Sequence, residues 1–311
     1  ILALEEIAKV CASTAITIAA HCSLACYPIF AHGSEHQKKK FLPPLLRGEK
    51  LGSFGLTEPN AGSDAGATQT TVQAEGDKWI INGQKRFITN SSFADVVVFT
   101  ASHDRALKTK AISAFLVERG TPGFRVGRHE DKLGLRASDT AELWFEGCAL
   151  PRENLLGPER EGFKVFMETL DGGRISIGAL GLGIAAGALE HTTEYVRTHE
   201  RNGMPMHRLQ WVQELIAEAA TEITCARHLI YHAAALKDQG ARITLPSAMA
   251  KLYASEIGTR TCRRLMDIIG PAGLSALHPL QRFLRDAKLM EIGEGTSQIQ
   301  KVVIAREVLG K

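Results

Sequence analysis

The apolar residues of this chain change their spacing twice, and that change limits the folds open to it. Leu4, Ile7, Cys11, Ala15, Ile18, Cys22 and Ala25 recur at steps of three and four, as on one face of an α-helix. From about residue 51 to 157 the pattern breaks into β-like runs separated by turn residues: GSFGLTEP, DKWIINGQKRFITN, ADVVVFTA, AISAFLVE and TAELWFEGCAL. In the last run Ala141, Leu143 and Phe145 alternate with Glu142, Trp144 and Glu146, the period of a half-buried strand. After Pro158 the helical period returns, through Ile175, Ala179, Leu182, Ala186, Leu189, Thr193 and Val196, then through Val212, Ile216, Ala219, Ile223, Ala226, Ile230 and Ala233. A further helix begins near Pro246 and stops by Gly270. Separate blocks of helix, strand and helix read as an α+β chain. Residues 1–50 form an N-terminal helical domain, 51–157 a β domain built as an antiparallel barrel or sandwich, and 158–311 a C-terminal helical bundle.

Local signals refine this outline. Pro28 helps end the first helix, and EHQKKKFLPPLLRGE is a shorter amphipathic helix leading to a proline-containing turn. Asn82-Gly83 is the strongest local hairpin signal. A chain of 311 residues that is 44% hydrophobic can bury a substantial core. Its net charge of +3, with KKK at Lys38 to Lys40 as the longest basic run, excludes a nucleic-acid footprint. No stretch reads as long and apolar enough to cross a bilayer. The six cysteines show no CxxC pair or zinc-like spacing, so they read as buried free thiols of a reducing compartment, with Cys22 and Cys26 assigned to packing and no metal site. The first residues look like the inside of a helix already under way, without an initiator methionine.

Several stretches combine the residue types that chemistry needs. In EIGEGTSQIQKVVIAREVLG, Gly293 and Gly295 flank a single carboxylate, Glu294, and leave the backbone open to a ligand. Thr296 and Ser297 are caps for a helix whose apolar face is marked by Ile299, Val302 and Val303. Taken alone, Glu294 is more often a solvated helix-dipole partner than a base. TEPNAGSDAG, from Thr57 to Gly66, can present backbone N–H groups to phosphate or a heteroaromatic ring, or it is a surface turn. RFITN carries Phe87, either a stacking ring or a core residue. LDGGRISIG places Asp171 and Arg174 one turn apart at a helix start, where a cap or surface ion pair is the plain alternative. GLGIAA, at Gly181 to Ala186, fits a dinucleotide fingerprint but lies inside a helical pattern, so close helix packing explains it better.

IGEGTSQIQ followed by IAREVLG, together with FGLTEPNAGSD and RFITN earlier in the chain, resembles the acyl-CoA dehydrogenases, and the resemblance runs from about Leu2 to Lys311. It implies the same three-part fold, with part of the N-terminal helical region missing, and FAD as cofactor. It sets Phe54, Leu56 and Thr57 beside the flavin ring, and Gly62 and Ser63 near the pyrophosphate and the pantetheine arm of the substrate. Phe87 and Thr89 form the second flavin segment, and Thr296 and Gln298 also reach the cofactor. Arg201, Gln210 and Gly270 lie toward the dinucleotide of a neighbouring subunit. Asp171 and Arg174 border the acyl-CoA channel, and Gly295 keeps the base segment open to substrate.

The implied reaction is α,β-dehydrogenation of an acyl-CoA thioester to the trans-2-enoyl-CoA, with Glu294 as the base and an electron-transfer flavoprotein as acceptor. Such enzymes serve fatty acid or branched-chain amino acid catabolism. A homotetramer or homodimer is implied, in the cytoplasm of a bacterium or the mitochondrial matrix of a eukaryote, the cytoplasm being preferred. Asp267 and Pro271 depart from the family pattern, as does a shortened loop after Arg201, all on the adenine side of the cofactor. They leave open a non-catalytic scaffold of the same fold that has lost FAD. An acyl-carrier-protein dehydrogenase or an oxidase is the other alternative. Gly172 to Arg174 hint at short or branched acyl groups.

Overall fold

The computed structural model describes residues 1–310. Packing groups them into two compact units, one of residues 17–131 with 138–173, the other of residues 1–16, 132–137 and the chain from Arg174 on.

The N-terminal periodic series is not one helix. Helix α1 (Leu2–Val10) stops at Cys11, which turns extended at φ −149° and ψ 96°. Helix α2 (Ala12–Ala19) follows, then a π-helical stretch from Ala20 to Cys26 and α3 (Tyr27–His32). Pro28 lies near the start of α3 but inside a run that stays helical from Ala12 to His32 through the π stretch, so it does not end the helix. The wide π turn sets His21 so that Nδ1 accepts the Gly52 N–H (2.9 Å) and Nε2–H donates to the Leu45 carbonyl (3.1 Å). Helix α4 (Glu35–Leu46) opens on a capping box between Ser34 and Gln37 and holds Pro43 and Pro44 inside its own length, not in a turn beyond it.

Eight strands make the next layer: β1 (Gly52–Gly55), β2 (Thr71–Glu75), β3 (Lys78–Thr89), β4 (Val96–Ser102), β5 (Ile112–Glu118), β6 (Phe124–His129), β7 (Thr140–Pro151) and β8 (Leu155–Leu156). Their order is β6-β7-β3-β2-β4-β5-β8, with β1 joined to β4. The sheet is mixed, not wholly antiparallel: β1 and β2 both run parallel to β4, because the chain crosses over other strands before it reaches β4. Strand β4 is buried at every position, Val96 and Val98 entering a core with Phe54, Leu116 and Phe166, and Val97 and Phe99 one with Phe115 and Phe145. Burial on both faces explains why VVVFTA shows no alternation, whereas β7 keeps Ala141, Leu143 and Phe145 inside and Glu146 out.

Asn82-Gly83 does not turn a hairpin. It lies within β3 opposite a bulge in β7, where Glu146 and Gly147 together face Asn82; a Cβ on Gly83 would stand 2.6 Å from Thr70 Cα, and Asn82 Oδ1 accepts the Gly147 N–H at 2.7 Å. The β2–β3 turn falls at Gly76 and Asp77. The Asn-Gly pair that does turn a hairpin is Asn202-Gly203, with φ 53° and 74°, between β9 (Glu200–Arg201) and β10 (Met204–Pro205).

Helix α5 (Gly162–Thr198) carries Asp171 and Arg174 well inside its length instead of at its start. Helices α6 (Gln210–Asp238) and α7 (Thr244–Ile269) follow, then α8 (Pro279–Met290) and α9 (Ser297–Leu309). Small residues let α5 close on its neighbours: a Cβ on Gly181 would lie 2.9 Å from the Ala254 carbonyl oxygen and one on Gly183 2.6 Å from Ala8 Cβ. GLGIAA is therefore a packing stripe. Two helical stretches, residues 12–32 and α5, do reach the length and hydropathy of a bilayer span, contrary to the reading of the sequence. The apolar window of α5 is 94% buried within the protein, so packing accounts for it, and that of residues 12–32 is 50% buried. Helix α9 buries Ser297 and Gln300, while Val302 is 43% exposed, so the expected apolar face is not a buried one. All six cysteines are free, but only Cys26, Cys148 and Cys262 are buried.

One buried ion pair roots the loop after β1. Lys85 and Glu58 have side chains 0% and 1% exposed and meet at 2.7 Å. Lys85 also donates to Thr100 Oγ1, and Glu58 accepts the Gln69 and Thr70 N–H groups. Burial pushes Lys85 down against the pull of Glu58; it would push Glu58 up, but Lys85 and the hydrogen bonds hold that carboxyl low. Lys85→Met should therefore lower stability by about 3–5 kcal/mol in denaturant unfolding, and adding Glu58→Gln should restore part of the loss.

Candidate active site

Helix α8 ends at Met290 and α9 begins at Ser297, and the turn between them holds Glu294. Thr296 caps α9 by accepting the Ile299 N–H at 3.2 Å; Ser297, already inside the helix, has a buried hydroxyl with no partner among the described residues. Glu294 and Gly295 both have left-handed backbones, at φ 54° and 97°. That conformation is free for glycine but costs a glutamate about 1 kcal/mol, so the turn must be held from outside. Gln300 Nε2 donates to the carbonyls of Glu294 (3.2 Å) and Gly295 (3.0 Å), and Lys251 Nζ donates to the Gly295 carbonyl at 2.7 Å. A Cβ on Gly295 would sit 2.7 Å from Gln300 Nε2, so this clamp is what requires glycine there.

The carboxylate is desolvated. Part of the residue stays accessible, but Oε2 has no exposed surface and no hydrogen-bond partner among the described residues. Burial lifts the Glu294 carboxyl to about 7, against the opposing pull of Lys251 and Arg174. Lys251 is itself fully buried on α7, and burial pushes its ammonium down to about 8 while Glu294 pulls it back up. Arg174, on α5, is 6% exposed, so the residue considered for a surface ion pair is itself buried. Lys251 escaped the sequence reading. Its signal was a lysine inside the stripe of Ala248, Ser255, Gly258 and Cys262, where every other member is small and buried.

The remaining residues fall in two groups, each within one unit. In the β unit the Arg86 N–H donates to the Thr57 carbonyl at 2.8 Å and brings the Thr57 and Phe87 segments together. Phe87 is 56% exposed at φ 59°, which excludes the core-residue reading. Phe54 is the reverse: it is 9% exposed and stacked on Phe166 at 4.1 Å, so its ring belongs to the core. Leu56 packs on the same core, and Gly62 and Ser63 are exposed on the loop. The Thr89 carbonyl accepts the Ser53 hydroxyl at 2.6 Å, and Asp171 is half-buried on α5.

In the helical unit Arg201 folds over Trp211 and donates to the Ile268 carbonyl at 3.1 Å, beside Gly270 at φ 72°. Gln210 and Gln298 are exposed. Asp267 is exposed, and Pro271 stands at the start of a single turn of 3-10 helix, where an N–H would have no intrahelical acceptor.

The raised proton affinity of Glu294 has a sign that can be measured. Its folded value of about 7 exceeds the ordinary 4.5, so it adds stability below about pH 4.5 that is lost as pH rises through 7. Compared with wild type by denaturant unfolding, Glu294→Gln should gain about 3 kcal/mol of relative stability between roughly pH 4.5 and pH 8.

The sequence matches the acyl-CoA dehydrogenase N-terminal domain over residues 1–49, the middle domain over 53–148 and the C-terminal domain over 160–309. It is 46% identical to the short-chain specific acyl-CoA dehydrogenase of Clostridium acetobutylicum, across 99% of this chain and 81% of that protein. Its fold superposes on butyryl-CoA dehydrogenase from Megasphaera elsdenii with a TM-score of 0.98 at 44% identity, over 99% of this chain and 81% of that one. A structure described as the electron transferring flavoprotein of Acidaminococcus fermentans also matches with a TM-score of 0.98, at 47% identity over 100% of this chain and 82% of that one. With all three domains matched in order and close to half the residues shared, the chain belongs to the acyl-CoA dehydrogenase family.

Proposed function

We propose that the protein carries out FAD-dependent α,β-dehydrogenation of a short-chain acyl-CoA thioester to the trans-2-enoyl-CoA, with Glu294 as the base that removes the α proton. The short-chain class follows the Clostridium and Megasphaera relatives. The observation that carries the role of Glu294 is its dry carboxylate oxygen, unpartnered among the described residues, in a group lifted to about 7. A base of that strength is ionised in a useful fraction near neutrality yet holds a proton far better than a solvated glutamate. Lys251 and Arg174 keep it from rising further.

The residues present fit FAD. Phe87 offers an exposed aromatic face on a strained backbone, Gly62 has open space where a Cβ would be, and Thr57, Ser63 and Thr89 supply hydroxyls. Arg201 and Gln210 would reach the dinucleotide of a neighbouring subunit, Gly270 would lie on the adenine side of a cofactor, and Thr296 and Gln298 would also contact FAD. The departures at Asp267 and Pro271 cost the chain no hydrogen bond of its own, since the first is solvated and the second sits where no donor is needed. FAD, when bound, supplies the two-electron acceptor for the hydride leaving the β carbon. Asp171 and Arg174 would border the acyl-CoA, and the Glu294 N–H, which donates to no group among the described residues, is available to a thioester carbonyl. A hydrogen bond there stabilises the enolate-like charge that grows as the α proton leaves.

Electrons would pass to an electron-transfer flavoprotein, as the Acidaminococcus structure suggests. A homotetramer is the proposed assembly, in the cytoplasm of a bacterium or the matrix of a mitochondrion, the cytoplasm being preferred. The non-catalytic scaffold and the carrier-protein dehydrogenase or oxidase are not favoured beside close short-chain dehydrogenase relatives.

Anaerobic addition of a series of acyl-CoA thioesters to the yellow protein should bleach the flavin, most completely with short chains. Glu294→Gln should keep its flavin absorbance and lose at least about 10²–10⁴-fold in dehydrogenation rate. Wild-type turnover in that variant would refute the base assignment, and no bleaching with any thioester would favour the scaffold.

A further inference from the structure

A lysine with no exposed surface is rare unless a carboxylate pairs with it. Lys251 breaks that rule: its one hydrogen bond goes to the Gly295 carbonyl at 2.7 Å, and no carboxylate among the described residues lies within 4 Å of its Nζ. Four charged groups face it: Glu294 and Glu291 from the turn between α8 and α9, Glu256 from α7 itself, and Arg174 from α5. Glu291 is already engaged by Lys288 on α8 at 2.6 Å, and Glu256 by Lys301 on α9 at 3.0 Å. Arg174 repels it. Glu294 is the carboxylate left without a cation of its own in contact, and the peptide that Lys251 grips is the one next to it.

We propose that Lys251 is a positioning residue for this reaction, its buried ammonium locking the left-handed Glu294–Gly295 turn and supplying the counter-charge that keeps Glu294 ionised for proton abstraction. The inference rests on Glu294 being the base. A lysine that merely tied α7 to the turn would need no charge, because a neutral donor of the same reach satisfies the Gly295 carbonyl. A counter-charge has a different signature. Removing it lets burial act on Glu294 with only Arg174 in opposition, so the carboxyl must move up.

The test is the pH dependence of kcat/KM for the flavin-loaded enzyme with a short-chain acyl-CoA, in wild type and in Lys251→Met, Lys251→Gln and Lys251→Arg. In the methionine and glutamine variants the acid limb should shift to higher pH by about one unit, a roughly tenfold loss at pH values below the limb. Glutamine keeps an N–H for Gly295, so matching shifts in these two variants assign the effect to charge. Arginine, which keeps the charge, should return the limb to its wild-type position. Should Lys251→Met fail to retain flavin, Lys251→Gln gives the same reading.

An acid limb that stays put in the neutral variants, or moves down as a loosened and hydrated turn would make it, overturns the inference even if kcat falls. Glu294→Gln assayed alongside separates the two readings. Turnover in that variant refutes the base and the inference together. An inactive Glu294→Gln with an unmoved limb in the neutral Lys251 variants refutes the inference alone.

Discussion

A carboxylate in a dry place without a hydrogen-bond partner is unstable as an anion, and the turn at Glu294 exists to keep one there. Water would relieve the strain by solvating the charge, and a nearby donor would relieve it by pairing. Oε2 is closed to bulk solvent, and no donor among the described residues reaches it. What remains is electrostatic compensation at longer range from two buried cations, Lys251 and Arg174, which leaves the group near 7 instead of fully neutralised or fully ionised. A direct salt bridge would have quenched the base by drawing its carboxyl well below the ordinary carboxylate range. The counter-charge acts without contact, and that distance distinguishes Glu294 from a salt-bridged carboxylate.

The β unit provides the contrast within the same molecule. There a buried lysine and a buried glutamate do touch, Lys85 and Glu58 at 2.7 Å, and the glutamate also accepts backbone N–H groups. That carboxyl is held low, its lone pairs are occupied, and its role is to root the loop that carries Thr57, Gly62 and Ser63. The two glutamates have the same chemistry and opposite environments. Contact with a cation holds the Glu58 carboxyl low, whereas burial without such contact lifts that of Glu294, and on the proposed reading this difference is what suits Glu294 to act as the base.

The coarse fold could be read in the sequence because periodicity reports which faces are buried, and burial decides layer order. The three blocks, the alternation along β7 and the long series in α5 and α6 follow from that alone. What periodicity cannot report is backbone geometry. A break at Cys11, a π turn at His21 and proline in the first turn of α3 all leave the step of three and four intact, so one apolar series concealed several elements. Asn82-Gly83 misled for a related reason: the pair faces a bulge in the partner strand instead of turning the chain, and only its pairing with β7 shows that. Glu294 stood out through the resemblance of IGEGTSQIQ, not through its spacing, since in isolation it resembles any acidic residue before a helix. Lys251 was invisible because a lone lysine in an apolar stripe gives no hint of what lies 43 residues further on.

Backbone strain supplies the last step. Among non-glycine residues with positive φ, asparagine tolerates the left-handed region well, so Asn90 and Asn202 need little explanation. Leu135 is held there by its N–H donating to buried Asp286 Oδ1 at 2.6 Å. Phe87 and Glu294 are different, because each aims a side chain with a proposed role where an ordinary backbone would aim it elsewhere. Phe87 lies at a register shift between β3 and β7, so the sheet on either side fixes its backbone and turns the ring outward. Glu294 is fixed by two side chains, Gln300 and Lys251, that grip the carbonyls on its C-terminal side and leave its N–H unengaged among the described residues. In both places the surrounding structure over-determines the strained residue, and a conformation that costs stability survives where it aims a side chain to which the proposed reaction assigns a role.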